Sequence, residues 1–240
     1  MALTSVSATS SSGTDQLTPP GYAIGVVLDS GTTLTFVPKD LATVIFNEVG
    51  AVYNSTLGIA IVPCSLGNKG GTINFGFGGH SGPQVSVAMS QLVDPIKADN
   101  GDYLTDSNGK VVCRFGITLS TESDSSSGLL FGDTFLRSAY VVYDLDNNQI
   151  GLAQTEFNAT ESNVVPFASS GAPIPSATVA PGAADVTAAT ASTVATTQSL
   201  SASKGFQSAA ARGLLPLGLW ELVMFTFGVL LFTRLLGSRP

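Results

Sequence analysis

The sequence predicts a mainly β domain followed by a C-terminal region that is not globular. The chain has 26 Gly and 12 Pro among 240 residues, and only 11% of its residues are charged, a composition typical of a turn-rich β protein. Short apolar runs alternate with Gly, Asn and Asp turns, which predict strands. After about residue 160, Ser, Thr, Ala and Pro dominate. We therefore expect a β domain over residues 1–160, a disordered stalk over 161–213 and a hydrophobic tail over 214–240.

Apolar runs bounded by turn residues define the individual elements of the β domain. Strands are predicted at residues 3–8, 24–28, 34–37, 59–62, 72–77, 84–87 and 111–118. Residues 9–21 are predicted to form a loop, because they are rich in Ser, Gly and Pro. One helix is predicted to begin at Pro38 and Asp40. Its apolar positions repeat at helical spacing and lie on one face: Leu41, Val44, Ile45, Val49 and Val52.

A single carboxylate stands where the strand 24–28 ends. Residues 26–33 read Val-Val-Leu-Asp-Ser-Gly-Thr-Thr, so Asp29 follows a buried apolar run directly. A charge beside a core costs free energy unless it is hydrogen-bonded. Gly31 can adopt backbone angles closed to other residues, and Ser30, Thr32 and Thr33 supply hydroxyls that can orient a carboxylate. These residues predict a carboxylate held for general acid/base chemistry, since a strand-ending Asp has little structural use.

Three motifs in order resemble the second lobe of pepsin-like aspartic proteases, in their fungal, surface-anchored (yapsin-like) form. The first is Asp-Ser-Gly-Thr-Thr at residues 29–33. The second is Leu-Leu-Phe-Gly-Asp-Thr-Phe-Leu-Arg at 129–137, followed by Ala-Tyr-Val-Val-Tyr-Asp at 139–144. The third, at 146–153, is similar to the turn and last strand of that lobe. The resemblance implies a single pepsin-like lobe, a double-psi-type β-barrel or sheet, and aspartic endopeptidase activity.

That resemblance also implies roles for particular residues. Asp29 would be one of two catalytic carboxylates, which share a proton because two like charges about 3 Å apart cannot both ionise. Thr32 would hydrogen-bond toward the opposing turn, while Gly31 and Thr33 would line a cleft that holds peptide or protein substrates. Asp133 would be structural. No other Asp in the sequence stands before Ser-Gly or Thr-Gly after an apolar strand, so the second carboxylate must come from elsewhere.

Cys64 and Cys113 are the only cysteines. In an oxidising compartment they would pair, whereas in the cytosol they would be two buried thiols. The pepsin-like second lobe has its disulfide in a similar place. The sequons at Asn54 and Asn158 favour secretion and N-glycosylation.

Several other kinds of site are excluded by the residues. A net charge of −7 argues against nucleic acid, which needs clustered Lys and Arg. His80 lies in a Gly-rich loop and no Gly-x-Ser-x-Gly elbow accompanies it, so a hairpin-loop histidine is expected. Residues 144–148 resemble the start of a calcium loop, but Gln149 stands where Gly is required. We predict a hairpin turn there, with no metal and no cofactor.

The C-terminal third predicts tethering to a membrane. Residues 161–213 cannot bury enough apolar surface to fold, and are predicted to be an extended, O-glycosylated stalk. The tail is interrupted by Glu221 and Arg234, which leaves too short an uncharged run for a typical spanning helix. A GPI-attachment signal therefore fits better than a membrane anchor. No signal peptide is recognised after Met1, although cell-surface location requires entry into the secretory pathway.

Three hypotheses follow from these observations. The chain is the second lobe of a surface-anchored aspartic endopeptidase whose first lobe is absent from the sequence, through truncation or an incomplete gene. Alternatively, a second copy of the chain completes the site by placing two Asp29 side chains across a two-fold axis. In the third hypothesis the chain is a tethered, non-catalytic or peptide-binding lobe. The GPI-type tail without a secretion signal favours the first.

Overall fold

The computed structural model describes residues 1–120 and 129–182, together with Val186 and Phe206. The prediction of a mainly β domain is confirmed. In chain order the strands are β1 (Ala2–Ser10), β2 (Gly13–Gln16), β3 (Ile24–Leu28), β4 (Thr35–Val37), β5 (Val52–Asn54), β6 (Ile59–Pro63), β7 (Thr72–Phe77), β8 (Gln84–Ala88), β9 (Val93–Pro95), β10 (Val112–Phe115), β11 (Ile117–Leu119), β12 (Leu129–Phe131), β13 (Ala139–Asp144) and β14 (Gln149–Gln154). The helices are α1 (Lys39–Val49), α2 (Met89–Leu92) and α3 (Asp133–Leu136), with a 3₁₀ turn at Cys64–Asn68.

These strands form three open sheets. The largest has the order β11-β4-β12-β3-β1-β7-β8, with β2 paired to β1. A second sheet has the order β5-β6-β10-β9, and β13 pairs with β14 as a separate antiparallel hairpin. Most of the buried apolar residues lie on or beside the large sheet and under α1, so this sheet is the scaffold for the Asp29 turn.

The connection through Asp29 has a non-local topology. The chain passes from β3 through the Asp29 turn to β4, yet these two strands do not pair with each other. Instead β12 lies between them, parallel to β3 and antiparallel to β4. Two connected strands with a third strand inserted between them form a ψ motif, of the kind that the sequence resemblance implies. It places a strand from about a hundred residues later directly under the Asp29 turn.

Four phenylalanines form the packed centre beneath that crossing. Phe75 and Phe77 come from β7, Phe131 from β12 and Phe135 from α3, and all four are at most 1% exposed. Their rings meet edge to face, with centroids 5.1–6.2 Å apart, the arrangement that aromatic quadrupoles favour. Because Phe131 pairs with Leu28, this cluster fixes the strand that ends at Asp29.

The structure shows that Cys64 and Cys113 form a disulfide, with Cα atoms 5.1 Å apart. The bond joins the start of the 3₁₀ turn to β10 and links residues 49 apart in sequence. Of the two alternatives open from sequence, the paired one is present. It ties the second sheet to the segment that leads into β7.

Most predicted strands agree with the structure to within one or two residues, and three predictions are wrong. The predicted strand 111–118 is two strands, because the Gly116 backbone turns aside to donate to Leu92 O and to accept from Thr35 N. Part of the predicted loop 9–21 is β2, which forms a tight hairpin with β1. Val52 is not on the helix: Gly50, in the left-handed region at φ 75°, ends α1 at Val49, and Val52 begins β5.

The predicted stalk and tail are described only in part. Residues 161–182 contain neither helix nor strand. Within the part of the chain that the structure describes, no helix is both long and apolar enough to cross a bilayer. The predicted tail at 214–240 lies outside the described residues.

Candidate active site

Asp29 is half-buried at the C-terminal end of β3. Its backbone N–H donates to Phe131 O at 3.0 Å, and its carbonyl accepts from Thr32 N at 3.2 Å. The first bond continues the β3–β12 ladder by one residue, and the second closes the turn. The backbone that carries the carboxylate is therefore held on both sides.

The Asp29 carboxylate accepts two hydrogen bonds from its own turn. Gly31 N donates to Oδ1 at 2.9 Å, and Thr32 Oγ1 donates to Oδ2 at 2.5 Å. The Thr32 hydroxyl, followed by the Gly31 N–H, lowers the pKa of Asp29 below its ordinary value, because both bonds favour the charged form. Among the described hydrogen bonds, Thr32 is the only hydroxyl of the turn that reaches this carboxylate, while Ser30 and Thr33 are exposed.

Gly31 is needed for close approach and not for unusual backbone angles. Its φ does not lie in the left-handed region, so the reason expected from sequence is wrong. A Cβ at this position would lie 3.2 Å from Asp29 Oδ1, tighter than an ordinary van der Waals contact. The missing side chain lets the Gly31 N–H approach the carboxylate.

Gly132, just after β12, packs against the back of the Asp29 turn. A Cβ there would lie 2.1 Å from Thr32 O and 2.6 Å from Leu34 O, so no other residue fits without moving the turn. The next two N–H groups, from Asp133 and Thr134, donate to the carbonyls of Thr32 and Thr33 at 2.8 and 3.1 Å. The start of α3 therefore supports the Asp29 turn from below, in agreement with a structural role for this loop.

Two buried threonines link α3 to β4 under the site. Thr134 Oγ1 donates to Gly116 O at 2.7 Å and lies 2.9 Å from Thr35 Oγ1, and both threonines are 1% exposed. A hydroxyl has one proton, and the proton of Thr134 goes to a carbonyl, which can only accept. The Thr35 hydroxyl must therefore donate to Thr134. Sequence analysis did not identify this pair, which is separated by 99 residues.

Tyr143, on β13, reaches the same region from the hairpin. Its hydroxyl donates to Leu28 O at 3.3 Å, one residue before Asp29, while the side chain remains 53% exposed. Nearby, Val27 is 47% exposed on β3. Sequence analysis did not assign Tyr143 to the site, because no local pattern relates β13 to β3.

The remaining predicted residues lie away from this turn. His80 is exposed in the β7–β8 loop, as expected. The Asp144 carboxylate accepts from Asn147 within the β13–β14 turn, so that segment is a hairpin turn as predicted. No group of three or more His, Cys, Asp or Glu residues within the described ranges could hold a metal ion.

The two sequon asparagines lie on turns. Asn54 is half-buried at the end of β5, where its Oδ1 accepts the N–H groups of Thr56 and Leu57 at 3.0 Å. Asn158 is exposed after β14, with φ 60°. Both positions are compatible with the surface loops that a glycosylation acceptor requires.

Comparison with known proteins agrees with this geometry. Residues 3–155 match the family model for eukaryotic aspartyl proteases. A probable aspartic-type endopeptidase (OPSB) of Arthroderma benhamiae is 40% identical over 194 residues, which cover 79% of this chain and 38% of that protein. Aspartic proteinase 3 of Saccharomyces cerevisiae is 36% identical over 173 residues, covering 72% of this chain and 26% of that protein.

A third relative is the secreted aspartic protease 9 of Candida albicans, 36% identical over 138 residues, which cover 58% of this chain and 22% of that protein. The chain belongs to the eukaryotic aspartyl protease family, with the Asp29 turn inside the matched region. It spans less than two-fifths of the length of the relatives described above.

Proposed function

We propose that this chain supplies one lobe of an aspartic endopeptidase and that Asp29 is one of its two catalytic carboxylates. The observation that carries the proposal is the Asp29 turn itself: a half-buried carboxylate at a strand end, held by the Thr32 hydroxyl and the Gly31 N–H. This carboxylate is oriented and is ready to pair with a second one. A facing carboxylate would share a proton with it, and the proton then belongs to the pair.

In the complete enzyme the pair would hold a water between them. The water oxygen adds to the peptide carbonyl carbon while one carboxylate takes the water's proton, and the other carboxyl group protonates the carbonyl oxygen. A proton then passes to the leaving amine as the C–N bond breaks. Gly31 and Thr33, which are exposed beside Asp29, would contact an extended peptide along the cleft. We assign peptides and proteins as substrates on this basis.

The second carboxylate would come from a first lobe, because the matched relatives are more than twice as long as the region they share with this chain. A second copy of this chain is the alternative source.

We place the enzyme outside the cell, since one relative is named as secreted and the disulfide favours an oxidising compartment. N-glycosylation at Asn54 and Asn158, and GPI attachment through residues 214–240, belong to the same proposal.

Activity measurements on four preparations and one control variant test this proposal. The chain would be assayed alone and together with the part of the Arthroderma relative that lies outside the matched segment. The Asp29→Asn variant would be assayed in the same two settings. We expect pepstatin-sensitive cleavage of a denatured protein at pH 3–6 only when the relative's segment is present, and none with Asp29→Asn. Asp106→Asn is a matched control, because Asp106 is another half-buried turn carboxylate whose pKa is lowered by hydrogen bonds, chiefly from Lys110 N–H.

Activity of the chain alone, rising with the square of its concentration, would show instead that two copies form the site. Cleavage that survives Asp29→Asn would refute the assignment of Asp29. If both lobes are folded and mixed but no cleavage is detected, the remaining hypothesis is that this chain is a non-catalytic, peptide-binding lobe.

A further inference from the structure

Residues 169–174 (Ser-Ser-Gly-Ala-Pro-Ile) lie against the β13–β14 hairpin. They belong to the stretch whose composition predicts a disordered stalk. Two turns shape the segment, with Ala172 N donating to Ser169 O and Ala177 N to Ile174 O. The contacts with the hairpin come from three positions: Asp146, Asn147 and Gly151.

The Asp146 carboxylate accepts two hydrogen bonds from this segment. Its Oδ2 receives the Ser170 hydroxyl at 2.6 Å and the Gly171 N–H at 3.1 Å. The Ser170 hydroxyl, followed by the Gly171 N–H, lowers the pKa of Asp146. Hydrogen bonds to an ionised carboxylate are stronger than those between neutral groups, so this is a favourable contact for an exposed side chain.

The Asn147 side-chain amide donates hydrogen bonds to backbone carbonyls of the same segment. One N–H of its Nδ2 donates to Asp144 Oδ2 at 2.8 Å, which orients the amide, and the other is shared between the carbonyls of Gly171 and Ala172, each at 3.3 Å. Adjacent side chains at the hairpin turn thus bind both the N–H and the C=O of Gly171. Such paired recognition of the backbone of one residue does not arise from apolar collapse, which is non-directional.

Gly151 provides space for an apolar side chain of this segment, that of Ile174. A Cβ on Gly151 would lie 2.9 Å from Ile174 Cδ1 and 3.5 Å from Val142 Cβ, and its φ is not in the left-handed region. The glycine therefore serves the contact and not the backbone. Ile174 is half-buried there, whereas Val179, five residues later, is 81% exposed.

We infer that the β13–β14 hairpin carries a docking site for residues 169–174, formed by Asp146, Asn147 and Gly151. The occupant is the chain's own C-terminal region. The region held on the lobe therefore extends past residue 161 to at least Ile174, and Phe206 also contacts the lobe, through its N–H to Glu48 Oε1. Residues 169–174 then cover the outer side of the hairpin that carries Tyr143.

Amide hydrogen exchange of the full-length chain tests this inference. We expect the Gly171 amide to exchange at least about tenfold more slowly than amides near Val179, because several hydrogen bonds must open together. Asp146→Ala should remove this protection, and Asp146→Asn, which keeps one acceptor oxygen, should remove part of it. Asp106→Ala is the control, since it changes another turn aspartate that accepts backbone N–H groups and leaves the hairpin untouched.

A steric pair of variants tests the packing contact separately. Gly151→Val should displace Ile174 and speed exchange at Gly171, while β14 amides stay protected because valine suits a strand. In the Ile174→Ala background the same change at Gly151 should have little further effect. Fast exchange at Gly171 in the wild type would overturn the docking site, and so would protection that Asp146→Ala leaves unchanged.

Discussion

Replacing Thr134 with valine should destabilise the lobe more than replacing its partner Thr35. Thr134 donates to Gly116 O and accepts from Thr35, and both side chains are 1% exposed. Thr134→Val removes two hydrogen bonds, each worth about 1 kcal/mol, and leaves the Thr35 proton buried without an acceptor, which adds about 1–2 kcal/mol. The free energy of unfolding should fall by about 3–4 kcal/mol.

Thr35→Val should cost only about 1 kcal/mol. It removes one donor from the Thr134 oxygen, while the Thr134 proton keeps its bond to Gly116 O. In the double variant no hydroxyl proton is stranded, so its cost should be at least about 1 kcal/mol below the sum of the single costs.

Urea unfolding followed by far-ultraviolet circular dichroism measures these differences. Fluorescence of the only tryptophan would not serve, because Trp220 lies in the tail. Thr134→Ser controls for the loss of the hydroxyl, since it retains both hydrogen bonds and loses one methyl group. Equal costs for the two single valine variants, or strictly additive costs, would refute the assigned direction of the Thr35 proton.

The other predictions concern the Asp29 carboxylate and the disulfide. Thr32→Val should raise the pKa of Asp29 toward its ordinary value, because it removes the main cause of the lowering, whereas Thr33→Val should leave it unchanged; carbon-13 NMR titration of the carboxyl group measures both. Since the folded-state pKa of Asp29 is lowered, its contribution to stability is present above the ordinary aspartate pKa and is lost as pH falls through the folded value. Joint replacement of Cys64 and Cys113 by alanine should lower the free energy of unfolding by about 3–4 kcal/mol, because a closed loop of 49 residues no longer restricts the unfolded chain.

Each of these expectations has a result that contradicts it. If the pKa of Asp29 is the same in Thr32→Val and Thr33→Val, the Thr32 hydroxyl does not hold the Asp29 carboxylate. Unchanged urea midpoints after alanine replacement would mean that the disulfide does not constrain the unfolded chain as assumed.

The Asp29 turn could be predicted because its determinants are close in sequence. The strand, the carboxylate and the two groups that hold it all lie within nine residues, at 24–32. Local composition and hydrogen-bonding chemistry suffice to recognise such a unit. The same locality explains why β3, β7 and the β13–β14 turn were predicted closely.

The support beneath the turn could not be predicted in the same way. β12 enters between β3 and β4 from about a hundred residues away, and Gly132 fits against Thr32 O only in that arrangement. The residues around Gly116 predict one continuous strand, whereas the backbone hydrogen bonds of Gly116 with Leu92 and Thr35 divide it into two. The role of Gly31 also depends on tertiary structure, since the close approach of its N–H depends on where the Asp29 carboxylate points.

The sequence by itself determined the class of the lobe and the position of the carboxylate, because these depend on neighbouring residues, but it left three hydroxyls of the turn as candidates to hold that carboxylate. Tertiary structure alone decided which strand supports the turn, that Thr35 donates to Thr134, and that residues 169–174 contact the hairpin. Those contacts join residues 23 to 103 positions apart. Their partners are chosen by packing of the whole chain, which no local pattern of residues records.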